Sequence, residues 1–434
     1  MSETKPVVAK SILLPFVLIT SLFALWGFAN AVTDPMVTAF KKVLELDNFQ
    51  ASLVQMAFYG GYFTMALPAA LFIRKYSYKV GIIIGLCLYA GGALLFYPAA
   101  VTEQFIFFLM GLYILTFGLA FLETTANPYI LSMGDRATAT QRLNLAQAFN
   151  PVGLLGGLLV AQQFVLKKLQ SDNVDFASLS ESAKATITTA DLMVIRNPYV
   201  VLGIAVIFIL VLIVINKMPQ GKDNGMKMST GEVIRSLFRK PKYTRGVLAQ
   251  MFYVGAQIMC WTYIYQYSEA IGIDAETAGT YQFFAFICFF VGRFVCTFLL
   301  KYINPGKLLM ILSVLAIGFT MGTIFITGIA GLYCLVAISF CMSLMFPTIY
   351  GIALDGLSED ESKIGAAGLV MAIVGGALMP TLQGMILDIG GSGYSDAVIL
   401  GVSEVNFSFV LPLTCFALIA LYGRNVFKSP VAVS

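Results

Sequence analysis

Twelve runs of about 20 apolar residues follow one another along this chain, and they restrict its fold more than any other feature does. They lie near 12–39, 50–73, 80–100, 105–132, 143–166, 198–216, 246–269, 276–300, 308–328, 331–355, 364–387 and 406–426. Hydrocarbon offers no partner to a backbone N–H or C=O, so a run that crosses a bilayer must close its own hydrogen bonds, as a helix does. Charged residues make up 12% of the 434, about half the usual share in soluble domains. The pattern predicts an all-α integral membrane protein with twelve transmembrane helices, its surface in contact with membrane lipid.

Basic residues set its direction. With both termini in the cytoplasm, Arg74, Lys75, Lys79, Arg136 and the cluster from Lys217 to Arg245 fall on inner segments. Of the 27 Lys and Arg, only Lys41, Lys42, Lys167, Lys168, Lys184 and Arg196 fall outside. This asymmetry follows the positive-inside rule. The net charge of +4 therefore reports topology, and no nucleic-acid partner is expected. The opening MSETKPVVAK mixes acid and base and leads into a span without a small-residue cleavage site, so it reads as a tail and not as a removable leader. All seven cysteines lie in predicted spans and the chain has no histidine, so disulfides, zinc and His-based catalysis have no support. No Walker A sequence appears, and ATP is not expected to drive the protein.

The longest inner polar segment divides the chain in two. Residues 218–245 read as a cytoplasmic linker between an N-terminal six-helix bundle, 1–217, and a C-terminal six-helix bundle, 246–434. The halves echo one another faintly. A short basic turn, IRKYSYKVG (73–81) or LKYINPGKLL (300–309), opens the third helix of each, and Pro128 and Pro347 sit at comparable depth in spans 4 and 10. Residues 167–197 read as a solvated exterior connector.

Two acids lie inside the spans, Asp34 in NAVTDPM and Glu123 in FLETTANPYIL. A carboxylate at mid-span costs about 2.5–3.5 kcal/mol on insertion scales, so it normally faces a cavity and marks a pathway. Two alternatives stay open: Asp34-Pro35 as a helix stop at the exterior surface, and Glu123 as a bond to a neighbouring helix. Spacing favours the pathway. Asn30 and Asp34 are four residues apart, as are Glu123 and Asn127, so each carboxyl shares a helix face with an amide. Asn144, Gln147 and Asn150 recur every third residue before Pro151, and Gln250, Tyr253, Gln257 and Trp261 form a stripe on span 7. Amides offer paired donor and acceptor bonds to sugar hydroxyls, and indole or phenol rings pack on the C–H face of a pyranose. Trp26 is close in angle to the same lining. Hydrogen bonding between helices is the other use of such amides. Arg293, at the inner end of span 8, is expected to snorkel or to pair with an acid, and Arg74 and Lys75 to gate the cytoplasmic side or set topology.

FLETTANPY in span 4, RLNLAQAFNP (142–151) in span 5 and VLAQMFYVGAQIMCWTY (247–263) in span 7 resemble the fucose permease family, sugar:proton symporters of the major facilitator superfamily. FALWGFAN (23–30), AFYGGYF (57–63), SYKVGI (77–82), VGRF (291–294), FPTIYG (346–351) and IVGGALMP (373–380) extend the resemblance over nearly all of the chain, in order. It implies the major facilitator fold of two six-helix bundles. It also implies that Asp34 recognises sugar and contributes to coupling, that Glu123 carries the proton, and that Gln147 and Asn150 line the cavity. Related glucose and galactose transporters often carry glutamine at the position of Glu123, so the glutamate favours the fucose branch. The chain departs from the fucose pattern at Ala31, Val32 and Thr33, where more amides are usual, and at Phe346, where a tyrosine is usual.

The resulting expectation is an inner-membrane symporter, monomeric, with the proton as coupling ion and no other cofactor or metal. It would import L-fucose or a related hexose by alternating access. Its sugar site would comprise Asp34, Trp26, Asn30, Asn127, Gln147, Asn150, Gln257 and Trp261, with Glu123 and Asp34 coupling the proton. One alternative is a glucose or galactose carrier, including a sodium-coupled one. A second, from another class, is an intramembrane enzyme, for which the chain has neither H-E-x-x-H nor a G-x-S-x-G elbow.

Overall fold

The computed structural model describes residues 7–44, 48–174, 179–219, 228–387, 389 and 397–428, with some side chains inside helices, Asp34 among them, outside that description. Its helices are α1 Leu13–Val43, α2 Asn48–Lys75, α3 Tyr78–Leu94, α4 Phe96–Thr102, α5 Phe105–Ser132, α6 Ala139–Gln147, α7 Asn150–Val160, α8 Glu181–Ile215, α9 Thr230–Phe238, α10 Pro241–Thr262, α11 Ile264–Ala270, α12 Ala275–Leu299, α13 Pro305–Phe325, α14 Ile329–Met342, α15 Met345–Leu354, α16 Glu359–Met371, α17 Gly375–Leu387, α18 Glu404–Ser408 and α19 Val410–Lys428. A two-residue hairpin, Val398–Ile399 with Val402–Ser403, is the only sheet among the described residues.

Eleven stretches of helix among the described residues are long and apolar enough to cross a membrane, and α2, 28 residues long, occupies the remaining expected span. The chain is a multi-pass membrane protein. Several spans are interrupted where the backbone requires it. Pro151 has no N–H for the carbonyl of Gln147, and the helix breaks at 148–149. Pro347 likewise leaves the carbonyl of Ser343 without its i+4 donor, and α14 gives way to α15 there. Pro128 has the same chemistry, yet α5 runs through it; the faint echo between the halves does not extend to a shared break.

Two other expectations change. The helix stop considered at Asp34-Pro35 does not occur, since α1 continues to Val43. The exterior connector is shorter than 167–197, because helix resumes at Glu181. ESAKATITTADLMVIRN contains no glycine or proline, and Ala, Glu, Leu and Met are good helix formers. Inside that extension Asp191, fully buried, accepts from the backbone N–H of Gln170 at 2.8 Å and of Ser171 at 3.0 Å, tying the preceding turn to α8.

Contacts divide the chain into two units. One comprises Val8–Met133 and Phe149–Asp223, the other Met1–Val7, Gly134–Ala148 and Asn224–Ser434. In the first, glycines bring helices to backbone contact. A Cβ on Gly118 of α5 would lie 2.4 Å from the backbone N of Tyr89 on α3, and one on Gly92 would lie 2.2 Å from the backbone N of Leu115. Small residues at such crossings are how membrane helices gain packing without a hydrophobic driving force. α1 and α7 cross in the same way, with Gly153 against the carbonyl of Ala24 and Gly27 against that of Asn150. In the second unit α6 packs on α15: Asn144 Nδ2 donates to Thr348 Oγ1 at 3.1 Å, and Gly351 lies against Thr140. Asp355, just past α15, accepts from Arg136 Nε at 3.1 Å and from Lys242 Nζ at 2.7 Å. Glu361 accepts from Ser236 Oγ at 2.7 Å and Lys240 Nζ at 2.6 Å while capping α16 through the N–H of Ser358.

Candidate functional site

Glu123 lies on α5, in the first unit. It and its neighbours Thr124, Thr125 and Asn127 are wholly buried, because α3 presents Gly81 to Thr125 and Gly85 to Phe121 and Leu122, close enough that a Cβ on either glycine would clash. Neither carboxylate oxygen of Glu123 has a hydrogen-bond partner. Asn127 shares the expected face but spends one N–H on the backbone carbonyl of Glu123, at 3.0 Å. A buried carboxyl that no cation and no donor holds gains little from staying ionised, which suits a group that takes up and gives back a proton.

Trp26, half-buried on α1, donates its indole N–H to the Tyr62 hydroxyl at 2.6 Å. Its ring stacks between Phe23, at 6.0 Å, and Tyr62, at 6.5 Å. Tyr62 on α2 is almost wholly buried. Tyr62 lies in AFYGGYF, yet its bond to Trp26 escaped the reading of the sequence, since no spacing rule links a tyrosine on one helix to an indole on another. Asn30 is half-buried one turn beyond Trp26. Asn150 donates to the backbone carbonyl of Phe23 at 3.3 Å, so one amide hydrogen helps to hold the α1–α7 crossing. Asp34 is helical, and its side chain lies outside the described residues.

The remaining candidates belong to the second unit. Gln147 ends α6 and is buried; because the helix breaks before Asn150, the three-residue spacing of amides does not run along one helix. Gln257 on α10 is half-buried. Trp261 donates to Ser339 Oγ at 3.2 Å and meets Phe286 and Phe289 edge-on, at 4.8 and 5.1 Å. In this structure those rings and the hydroxyl hold the indole within the helix packing. On the same α10 stripe Gln250 and Tyr253 are fully buried, and neither the amide of Gln250 nor the hydroxyl of Tyr253 has a hydrogen-bond partner.

Arg293 departs from expectation. It neither snorkels nor pairs with an acid among the described residues: it is 2% exposed, with Nε and Nη1 unpartnered and its guanidinium 5.0 Å above the ring of Phe289. The nearby aromatic face supplies part of what an ion pair would. Phe346 stacks on Tyr350 at 6.2 Å and meets Tyr253 edge-on at 6.1 Å.

Residues 16–380 match the Major Facilitator Superfamily. The L-fucose-proton symporter of Haemophilus influenzae is 54% identical, over 97% of this chain and 98% of its own length. The chain belongs to the fucose permease family of that superfamily. A crystal structure of FucP, a transporter of the superfamily in the outward conformation, superposes with a TM-score of 0.86 at 34% identity, covering 96% of this chain and 99% of that one. A glucose/galactose transporter of Brucella abortus is 31% identical over 95% of this chain and 93% of its own. Family membership makes the chain a transporter with the major facilitator fold and not an enzyme, as the residues quoted from spans 4, 5 and 7 imply.

Proposed function

We propose that this chain is a symporter that brings L-fucose across the bacterial inner membrane together with protons. It works by alternating access, as a monomer with both termini in the cytoplasm and six-helix bundles at 1–217 and 246–434 joined by the linker 218–245. Glu123 is the observation that carries the reading. A carboxyl buried with both oxygens unpartnered has no structural ion pair to keep, and its cheapest states are protonated or in contact with an entering ligand. The choice of sugar is supported by the greater identity to the L-fucose symporter than to the glucose/galactose transporter.

Asp34 orients the sugar and shares in coupling, while Asn30, Asn127, Gln147, Asn150 and Gln257 meet hydroxyls and Trp26 and Trp261 face the ring. Trp26 and Asn150 already hold partners, so on this reading their contacts rearrange when sugar enters. The test is uptake by proteoliposomes under an imposed pH gradient, with L-fucose, D-arabinose, L-galactose, D-glucose and D-galactose compared and the recovered sugar analysed. L-fucose should lead, follow the proton gradient and emerge chemically unchanged. Uptake led by D-glucose, or driven by sodium in place of protons, would move the chain to the glucose/galactose branch.

A further inference from the structure

We propose that α9 and the start of α10 form a docking surface for the headgroup of an anionic phospholipid. The inference rests on the chain being a membrane protein, and not on its sugar or its coupling ion. Residues 235–245, RSLFRKPKYTR, hold five cations and no acid, and they run into the apolar span that begins at Pro241. α9 has two faces. Val233 and Leu237, one turn apart, are buried where the helix packs on α16 and α10. Arg235, Phe238 and Arg239, at spacings of three and four, share the opposite face. All three are exposed, Phe238 at 74%.

Only part of this charge is neutralised within the chain. Lys240 is held by Glu361 at 2.6 Å and Lys242 by Asp355 at 2.7 Å, with Arg136 on the same Asp355. Arg235, Arg239 and Arg245 are exposed and enter no ion pair among the described residues. Glu232, one turn before Arg235, is engaged in capping α9, where it accepts from the backbone N–H of Ser229 at 2.8 Å. Beside Arg239 opens a groove of about 240 Å³, walled also by Lys240, Lys242, Tyr243 and Asp355. With Arg136, four cations stand around two carboxylates, Asp355 and Glu361, so the groove keeps a surplus of positive charge. Phosphodiester oxygens match the paired N–H groups of a guanidinium.

The ring decides the kind of anion. A helix lying in the headgroup layer sets its apolar side chains at the acyl boundary and its cations among the phosphates, and Phe238 between Arg235 and Arg239 offers both. Basic segments next to a span are drawn to anionic lipid. Orientation by the positive-inside rule asks only for cations on this side of the bilayer; it does not call for an exposed phenylalanine between them. A free inorganic anion would use the arginines and leave the ring in water.

The experiment titrates the full chain in neutral detergent micelles with phosphatidylglycerol, phosphatidylcholine or inorganic phosphate and counts what the intact protein retains by mass spectrometry. Wild type should retain phosphatidylglycerol in preference to phosphatidylcholine, and high salt should erase the preference. Arg235→Gln/Arg239→Gln should weaken phosphatidylglycerol binding by about 25-fold, about fivefold for each arginine removed, and leave phosphatidylcholine unaffected. Phe238→Ala should weaken both lipids alike, because the ring inserts whatever the headgroup. Lys301→Gln/Lys307→Gln removes two cations from the turn between α12 and α13 and should leave the affinity unchanged. Equal retention of the two lipids by wild type, or an equal loss in the Lys301/Lys307 pair, would overturn the site. Inorganic phosphate held as tightly as phosphatidylglycerol would overturn the lipid as its occupant. If the double arginine variant does not melt cooperatively in micelles, Arg239→Gln alone decides, with a fivefold loss expected. No arm reads sugar uptake, so failure here leaves the symporter reading standing.

Discussion

A single carboxyl with nothing to bond to is costly in hydrocarbon, and Glu123 tolerates its place because it can be neutral. Glutamine reproduces the neutral form only. Glu123→Gln should therefore bind sugar and exchange it in counterflow at close to the wild-type rate, yet fail to accumulate it against a gradient. Asp34→Asn, which alters the acid assigned to the sugar, should impair counterflow itself. Full proton-driven accumulation by Glu123→Gln would show that the glutamate only packs helices. Arg293 presents the opposite case. A guanidinium cannot be neutralised in a protein, so its burial has to be offset by what surrounds it, and the face of Phe289 is one such neighbour. Phe289 lies one turn before Arg293 on α12, outside the local string VGRF.

At the scale of the helix, adjacent glycines differ in what they do. Gly91 has no atom within 4 Å of its would-be Cβ, whereas a Cβ on Gly92 would lie 2.2 Å from the backbone of Leu115. Gly91→Ala should leave thermal stability in detergent unchanged or raise it by about 0.5–1 kcal/mol, the helix-propensity gain. Gly92→Ala should lower it by about 1–3 kcal/mol, because the α3–α5 contact must open. Equal melting temperatures for the two variants would mean that the crossing does not need its glycine. Breaks at Pro151 and Pro347, and the uninterrupted α5 at Pro128, belong to this scale too. Proline removes one donor wherever it occurs, but neighbouring helices decide whether the helix bends, breaks or continues.

Across the molecule, two cations of the second unit, Arg136 and Lys242, share one carboxylate, that of Asp355. Burial raises the Asp355 carboxyl, but the hydrogen bond and charge of Lys242, and then those of Arg136, outweigh it and hold the group below the usual aspartate range. A depressed carboxyl stabilises the folded state above its unfolded pKa of about 3.9, and that contribution disappears as pH falls through the folded value. Asp355→Asn should therefore lower the melting temperature at pH 7, and the difference from wild type should shrink below about pH 4 and in high salt. Because the pair is about half exposed, the loss should be about 1 kcal/mol or less. A deficit that persists unchanged at acid pH would assign the effect to packing. Asp355 joins Arg136, from the segment after α5, to Lys242 at the start of α10, residues more than a hundred positions apart in the chain.

The sequence by itself determined the class, the spans and the family. Hydrocarbon permits few backbone solutions, so apolar runs are enough to read the helices. Motifs around Glu123, Gln147 and Trp261 carried the family. Glu123 was legible as well, because an acid in an apolar run has few explanations. Tertiary structure alone decided who meets whom: that Trp26 donates to Tyr62, that Asn150 holds the α1–α7 crossing, that Trp261 is enclosed by phenylalanines, and that Gly134–Ala148 groups with the C-terminal helices. The physical reason is one of range. Helical periodicity relates residues three or four apart on one segment, whereas these partners face each other across crossings whose angle and register are set by glycines and side-chain shape.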